Sequence, residues 1–188
     1  MADLRQQLKT RSAELHHQVD AAFSAFSLAT PQGYRRFLLA HAQALWPLEQ
    51  QLEASGVEQL LDDWPQRRRS TALRTDLRLL GVEPSPPPAT SPTCSAGWCW
   101  GALYVLEGSR LGARLLSQRL QAAQPGAPMH YLSHAQGEGL WQTFLQRLHN
   151  QADGQAHPDL HQGVNDAFER FLAAARQHSP RGAALPLP

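Results

Sequence analysis

Residues 101–116 have the sequence GALYVLEGSRLGARLL, which is strongly helical in character and yet contains three glycines. A glycine inside a helix costs about 1 kcal/mol relative to alanine, so each one needs a compensating reason. Gly108 and Gly112 are four residues apart and lie on one helix face, where they leave a strip of backbone without side chains. A crossing helix or a flat ligand could approach this strip closely, and the helix could kink there. The pattern alone favours the crossing helix and leaves the ligand as the alternative.

Helical periodicity extends outward from this stretch in both directions. Apolar residues recur at intervals of three and four, whereas the two-residue alternation of strands is absent. Thr30 before Pro31 is typical of a helix start, Pro47 predicts a bend or a break, and Ser133 with Gln136 has the spacing of a capping box. The sequence therefore predicts an all-α fold, with helices over residues 3–22, 31–55, 57–64, 66–80, 96–122, 133–150 and 158–177.

Two segments are expected to lie outside the helices. Residues 82–93, VEPSPPPATSPT, contain clustered prolines and predict an extended surface connection inside one domain. The last ten residues, 179–188, predict a flexible C-terminal tail. A chain of 188 residues is long enough for one domain with its own core, so we expect a single domain over residues 1–178.

Composition excludes several classes of function. The formal net charge is only +1, so nothing predicts a nucleic-acid partner. No apolar run approaches the roughly 20 residues of a membrane span, and the N-terminus lacks the apolar segment of a signal peptide. We therefore expect a cytoplasmic protein with no membrane partner. Cys94 and Cys99 have no metal-type spacing and are expected to be free, packed thiols.

The first helix carries a second group of polar residues on one face. His16 and Asp20 are four residues apart, and Lys9 precedes His16 by about two turns. A neutral imidazole whose other N–H meets a carboxylate is the usual arrangement of a metal-ligating histidine. His17 points about 100° around the helix and faces elsewhere. Taken alone, the spacing shows a shared face and is equally typical of a solvated pair.

The two segments together resemble the haem oxygenase family, in particular its bacterial branch. The resemblance rests on SAELHHQVD at residues 12–20 and GALYVLEGSRLGARLL at residues 101–116, with weaker similarity in LWQTFLQRL and VNDAFERFL. It extends in order from about residue 4 to residue 176. It implies a compact multi-helix domain that holds haem between a proximal helix and a kinked distal helix.

The resemblance implies roles for residues on the proximal side. His16 corresponds to the axial iron ligand and Asp20 to an acidic residue that hydrogen-bonds that histidine. Lys9 corresponds to a basic residue near a haem propionate, and Phe168 to a position that lines the pocket. Arg147 is a candidate for the second propionate contact.

On the distal side, Gly108 and Gly112 correspond to the helix whose backbone lies over the haem face. Mammalian members have an aspartate at the position of Ser109, where it organises water above the iron. Bacterial relatives tend to have a serine there, as this chain does. The distal water network is then expected to use backbone carbonyls, Ser109 or arginines. Glu107 is expected to point away from haem or to pair with an arginine.

The implied activity is that of a haem-degrading monooxygenase. Haem, iron protoporphyrin IX, is both cofactor and substrate, and O2 with reducing equivalents opens it to biliverdin, carbon monoxide and ferrous iron. The implied partners are a redox donor such as a ferredoxin, a flavodoxin or their reductase. Biliverdin would serve iron release or supply a biliverdin-binding phytochrome.

Other functions are weighed against this one. A haem carrier or storage protein without turnover would need the same His16 and the same glycines. A thiamin-related hydrolase or a di-iron oxidase could use a similar helical architecture, but di-iron chemistry needs several Glu and His ligands at helical spacing. The candidates form no convincing set: Glu49, Glu53, His130, His134 and His161. A cysteine-dependent hydrolase would need a partnered nucleophile, which neither cysteine has.

Overall fold

The computed structural model describes residues 4–83, 92–152 and 159–179, and in these ranges it is all-α, as the periodicity predicts. The residues described form eight helices: α1 (Leu4–Ser24), α2 (Pro31–Ala54), α3 (Val57–Leu60), α4 (Trp64–Arg67), α5 (Ser70–Leu79), α6 (Ala96–Ala123), α7 (Leu140–Ala152) and α8 (Leu160–His178). Most of the proline-rich connection, residues 84–91, and residues 180–188 of the tail lie outside the described residues.

The start of α2 follows the sequence closely. The Thr30 side chain accepts a hydrogen bond from the Gly33 backbone N–H at 3.1 Å, and Pro31 occupies the first turn. The helix continues through Pro47 without a break. Its apolar face is buried in the core, which includes Tyr34 and Leu45.

Two glycines allow α6 and α8 to cross at close range. A Cβ atom at Gly101 would stand 2.0 Å from the Leu160 carbonyl oxygen, and one at Gly163 would stand 2.1 Å from the Trp98 carbonyl oxygen. No side chain fits at such distances, so each glycine is required by the backbone of the opposite helix. The helix-crossing explanation therefore belongs to Gly101, which lies on the same helix as Gly108 and Gly112.

Helix α8 lies against both α1 and α6, the two helices that carry the candidate site residues His16 and Gly108. Both α1 and α6 pack against α8, whereas they contact each other at most weakly within the described residues. Helix α7 packs against α6 and also contacts α1. The residues of interest on α1 and α6 thus project from two helices that share one supporting helix.

The predicted helix start at Ser133 is wrong. The Ser133 hydroxyl donates to the Met129 carbonyl at 2.7 Å, and the Gln136 amide donates to the Leu132 carbonyl at 2.8 Å, so neither side chain caps a helix. Gly137 and Gly139 have φ values of 91° and 66°, which a right-handed helix does not allow. Helix α7 consequently begins at Leu140.

Two further predictions concern the thiols and the membrane. Cys94 and Cys99 are both free cysteines, one partly buried and the other fully buried, which confirms the packed-thiol prediction. Burial raises the pKa of the Cys99 thiol to about 11. None of the helices described has the combined length and apolarity that crossing a bilayer requires.

Candidate active site

The polar face of α1 is organised around His16. The imidazole Nδ1 atom lies 3.3 Å from the Asp20 carboxylate, and both side chains are well exposed. The Phe168 ring of α8 meets the imidazole edge-on, with 5.6 Å between ring centroids, and Phe168 is itself buried. One contact therefore orients the histidine through its Nδ1 atom and the other through its ring edge. The Nδ1 atom is thus the ring nitrogen that faces the carboxylate, and Nε2 is the other.

Lys9 lies on the same face of α1 and is exposed. Among the residues that the structure describes, it takes part in no ion pair. Arg5, one turn nearer the N-terminus, is close enough to the α6 residue Tyr104 to oppose the rise in the pKa of that phenol caused by burial. The N-terminal part of α1 therefore places positive charge near α6.

The two central glycines of α6 are not needed for helix crossing. Among the described residues, a Cβ atom at Gly112 would meet nothing within 4 Å, and one at Gly108 would only reach the Trp141 ring at 3.7 Å, an ordinary contact distance. The helix continues unbroken through both residues, and the kink expected there stays a prediction. Protein packing therefore gives no reason for glycine at either position, in contrast to Gly101.

Apolar side chains flank these glycines and face solvent. Leu111 and Leu115 are 58 % and 51 % exposed, and they follow Gly108 by three and seven residues, which puts them on the same side of the helix. We call this surface, formed by Gly108, Leu111, Gly112 and Leu115, the open face of α6. A flat apolar ligand suits it, because bare backbone allows close approach and the leucines gain from being covered.

Ser109 is an exposed residue whose hydroxyl turns back toward the core. It donates to the Leu106 carbonyl at 2.7 Å and accepts from the Arg69 guanidinium at 3.0 Å. The same guanidinium nitrogen donates to the Leu106 carbonyl, and Arg69 is only 3 % exposed. Ser109 is thereby fixed at the beginning of the open face by a buried cation.

Glu107 pairs with arginines, as expected. Its carboxylate is buried and accepts from Arg67 at 2.6 Å and from two nitrogens of Arg110 at 3.0 Å. His134 lies 3.4 Å from Arg110, and desolvation together with nearby guanidinium groups lowers the pKa of this histidine to about 4. Glu107 and its arginine partners therefore form a largely buried charged cluster beside the open face of α6.

Arg147 is already paired in this structure. Its guanidinium lies 2.6 Å from the Asp62 carboxylate and 3.6 Å from that of Asp63. A contact between Arg147 and an anionic ligand would require these partners to be exchanged.

Four contributions to the site were missed by the sequence reasoning. They are the two exposed leucines of the open face, the Trp141 ring against Gly108, and the buried Arg69 that holds Ser109. The leucines could have been found from their spacing relative to Gly108. The other two depend on contacts between distant parts of the chain, for which the sequence carries no local signal.

The donor set fits haem better than a metal cluster. An imidazole with an oriented Nδ1 atom is the type of ligand that haem iron accepts, and the open face of α6 offers the flat apolar surface that a macrocycle needs. No three His, Cys, Asp or Glu side chains gather into a possible metal site within the described residues.

Comparison with known proteins agrees with this chemistry. No family model matches the chain. A protein named "Heme oxygenase" from Xanthomonas campestris pv. campestris (strain 8004) is 37 % identical over 148 residues, which cover 73 % of this chain and 86 % of that relative. The fold is similar to that of the NO- and CO-bound haem oxygenase from Neisseria meningitidis, with a TM-score of 0.79 and 22 % identity over 99 % of this chain and all of the other. The chain therefore belongs to the haem oxygenase family.

Proposed function

We propose that this haem oxygenase holds haem between α1 and the open face of α6, with His16 as the axial iron ligand. The observation that carries the proposal is the pair of glycines that face open space between exposed leucines, although helical packing does not require glycine there. The family implies haem as both substrate and prosthetic group. A carrier or storage role would use the same residues, and no observation favours it.

The proximal side depends on the tautomer of His16. An N–H on Nδ1 can donate to the Asp20 carboxylate at 3.3 Å, which leaves Nε2 unprotonated and able to bind iron. The buried Phe168 ring limits rotation of the imidazole. The pair thus supplies a neutral, oriented nitrogen ligand, which donates less electron density than a thiolate would.

On the distal side, the role of this chain is steric and polar. Gly108 and Gly112 allow the α6 backbone to approach the haem face, and so to restrict where a bound diatomic molecule can lie. The Ser109 hydroxyl already donates to the Leu106 carbonyl, so proton delivery would use water ordered by this helix. None of the four residues that form the open face has an acidic or basic side chain.

The propionate groups of haem require cations at the edge of the site. Lys9 suits this role, because it shares the face of His16 and makes no ion pair within the described residues. Arg147 would have to leave Asp62 to make the second contact. Lys9 is therefore our first candidate, and Arg147 is the second.

When bound, haem supplies the oxygen-activating chemistry of the family and is itself oxidised, giving biliverdin, carbon monoxide and ferrous iron. The protein binds and orients the macrocycle and excludes bulk water from its face. The reducing equivalents would come from a ferredoxin, a flavodoxin or their reductase, and biliverdin would serve iron release or a phytochrome.

Haemin titration of matched histidine variants tests the proposal. His16→Ala should abolish the absorbance spectrum of a histidine-ligated haem, whereas His17→Ala, which removes the neighbouring exposed imidazole, should leave it unchanged. Retained ligation in His16→Ala would overturn the assignment. Ascorbate and air should then bleach the Soret band of the wild-type complex and produce long-wavelength biliverdin absorbance. If the Soret band stays stable even when a competent reductase is added, the carrier or storage function is favoured.

A further inference from the structure

We propose that Trp141 is a specificity-determining residue of the haem site and that the buried Arg67 guanidinium is its positioning residue. The inference rests on the proposed function, because it requires haem to lie on the open face of α6. It assigns a role to α7, which carries neither the iron ligand nor the glycines.

Trp141 closes one end of the open face. Its Cη2 and Cζ3 atoms, which form the outer edge of the indole, lie 3.7 Å from the position of a Cβ at Gly108. The ring is held between Tyr104 and Phe144, with centroid distances of 5.7 and 5.8 Å. At the other end, no atom of the part of the chain that the structure describes lies within 4 Å of the corresponding position at Gly112. The two ends of the face are therefore different.

This asymmetry bears on how haem is seated. Gly108 and Gly112 are separated by about 6 Å along the helix, less than the width of a macrocycle, so a ring that covers both must extend beyond them. It meets the indole edge at the Gly108 end and open space at the Gly112 end. Because the substituents of haem are not symmetric, its alternative seatings present different edges to the indole. Trp141 thereby favours one seating and the meso carbon that this seating exposes to oxygen.

Arg67 ties the beginning of α7 to α6 on both sides of Trp141. The guanidinium is 1 % exposed, and it donates to the Leu140 carbonyl at 2.9 Å and to the Thr143 hydroxyl at 2.9 Å. It also donates to Glu107 on α6 at 2.6 Å. Two bonds to Asp63 use its remaining donor positions. Glu107, next to Gly108, and two residues that flank Trp141, Leu140 before it and Thr143 two positions after it, are thus held by one rigid planar group.

The Arg67 part is tested on the apoprotein. In wild-type protein, nuclear Overhauser effects should connect the indole protons on Cη2 and Cζ3 of Trp141 to the α-protons of Gly108. Thr143→Val removes one acceptor of Arg67 and should weaken or abolish these effects, whereas Thr143→Ser, which keeps the hydroxyl, should retain them. Unchanged effects in Thr143→Val, with the folded spectrum otherwise intact, would overturn the positioning role.

The Trp141 part is tested by counting haem seatings in the cyanide-ligated ferric complex, from the resolved methyl resonances of the porphyrin. Trp141→Phe and Trp141→Ala should change the ratio of seatings roughly threefold to tenfold, as expected for loss of one aromatic contact. The ratio of biliverdin isomers after turnover should shift in the same direction. Trp98→Phe, which removes an indole near the N-terminus of α6, away from the open face, should leave both ratios unchanged.

The outcomes separate this inference from the proposed function. If His16-dependent ligation persists and neither ratio moves in Trp141→Phe or Trp141→Ala, the role of Trp141 is wrong and the haem site stands. If His16→Ala leaves ligation intact, the proposed function fails first.

Discussion

Replacing Gly112 by alanine should make the apoprotein more stable and the haem complex weaker. A Cβ at this position would meet nothing within 4 Å in residues 4–83, 92–152 and 159–179, so the added methyl group clashes with none of them in the apoprotein. Alanine is favoured over glycine inside a helix by about 1 kcal/mol. For a chain of this length, that gain raises the unfolding midpoint by about 2–4 °C.

Gly101 provides the opposite case on the same helix. A Cβ there would stand 2.0 Å from the Leu160 carbonyl oxygen, so Gly101→Ala must push α6 and α8 apart. Overpacking of this kind typically costs 1–3 kcal/mol, and a clash with backbone belongs at the upper end, about 3 kcal/mol. The same substitution is therefore expected to change stability by about +1 kcal/mol at one position and −3 kcal/mol at the other.

Urea unfolding of the two apoproteins, followed by circular dichroism, measures both changes, and haemin titration measures the effect on binding. In Gly112→Ala the methyl group would stand between the helix backbone and the macrocycle, so the affinity for haemin should fall about tenfold. A loss of apoprotein stability in Gly112→Ala would refute the claim that the strip faces open space. Higher stability with unchanged affinity would refute the claim that haem covers it.

Three further predictions concern the charged residues. Glu107→Gln should destabilise the apoprotein by about 3–5 kcal/mol in urea unfolding, because it removes the buried carboxylate that pairs with both Arg67 and Arg110. A loss below about 1 kcal/mol would contradict this. Desolvation lowers the pKa of His41 from 6.5 to about 3. As the pH falls below 6.5, the unfolded chain therefore binds a proton at His41 that the folded protein does not, and the free energy of unfolding decreases. By pH 5 the loss from His41 is up to about 2 kcal/mol, and His41→Leu should flatten this part of the pH dependence. Lys9→Gln should weaken haemin binding roughly twofold to fivefold at low salt and hardly at all at high salt, without changing apoprotein stability.

The helices could be predicted from sequence because their signals are local. Thr30 and Pro31 form a cap and a first turn within four residues, so no distant contact is needed to start α2. The predicted helix start at Ser133 was wrong because a capping pattern shows only that a side chain is able to cap a helix. Here the hydroxyl is used by the Met129 carbonyl, and the glycines at 137 and 139 take positive φ values.

The site could be predicted only in part, for a related reason. The spacing of His16 and Asp20 fixes a shared face, and the structure brings these side chains within 3.3 Å. The run QRRRS at residues 66–70, by contrast, has the composition of a solvated segment, yet Arg67 and Arg69 are 1 % and 3 % exposed. Their partners, Glu107 and Ser109, lie about 40 residues away. Burial that depends on such distant carboxylates and hydroxyls leaves no periodic trace in the sequence.

The same contacts explain how α6 keeps a buried carboxylate while two of its leucines face solvent. Its buried side carries Glu107, 1 % exposed, whereas Leu111 and Leu115 are more than half exposed. In a helix that serves only packing, leucines are expected to face the core, as Leu103, Leu106 and Leu120 of α6 do. Fully burying a leucine contributes about 1.5–3 kcal/mol, so covering the exposed halves of both would contribute about 2 kcal/mol, roughly a thirtyfold gain in affinity. Because the Arg67 and Arg69 contacts anchor the other side of α6, the helix cannot rotate to bury these leucines itself. The apolar surface therefore stays exposed in the apoprotein, and a haem bound against it would gain the free energy of burying Leu111 and Leu115.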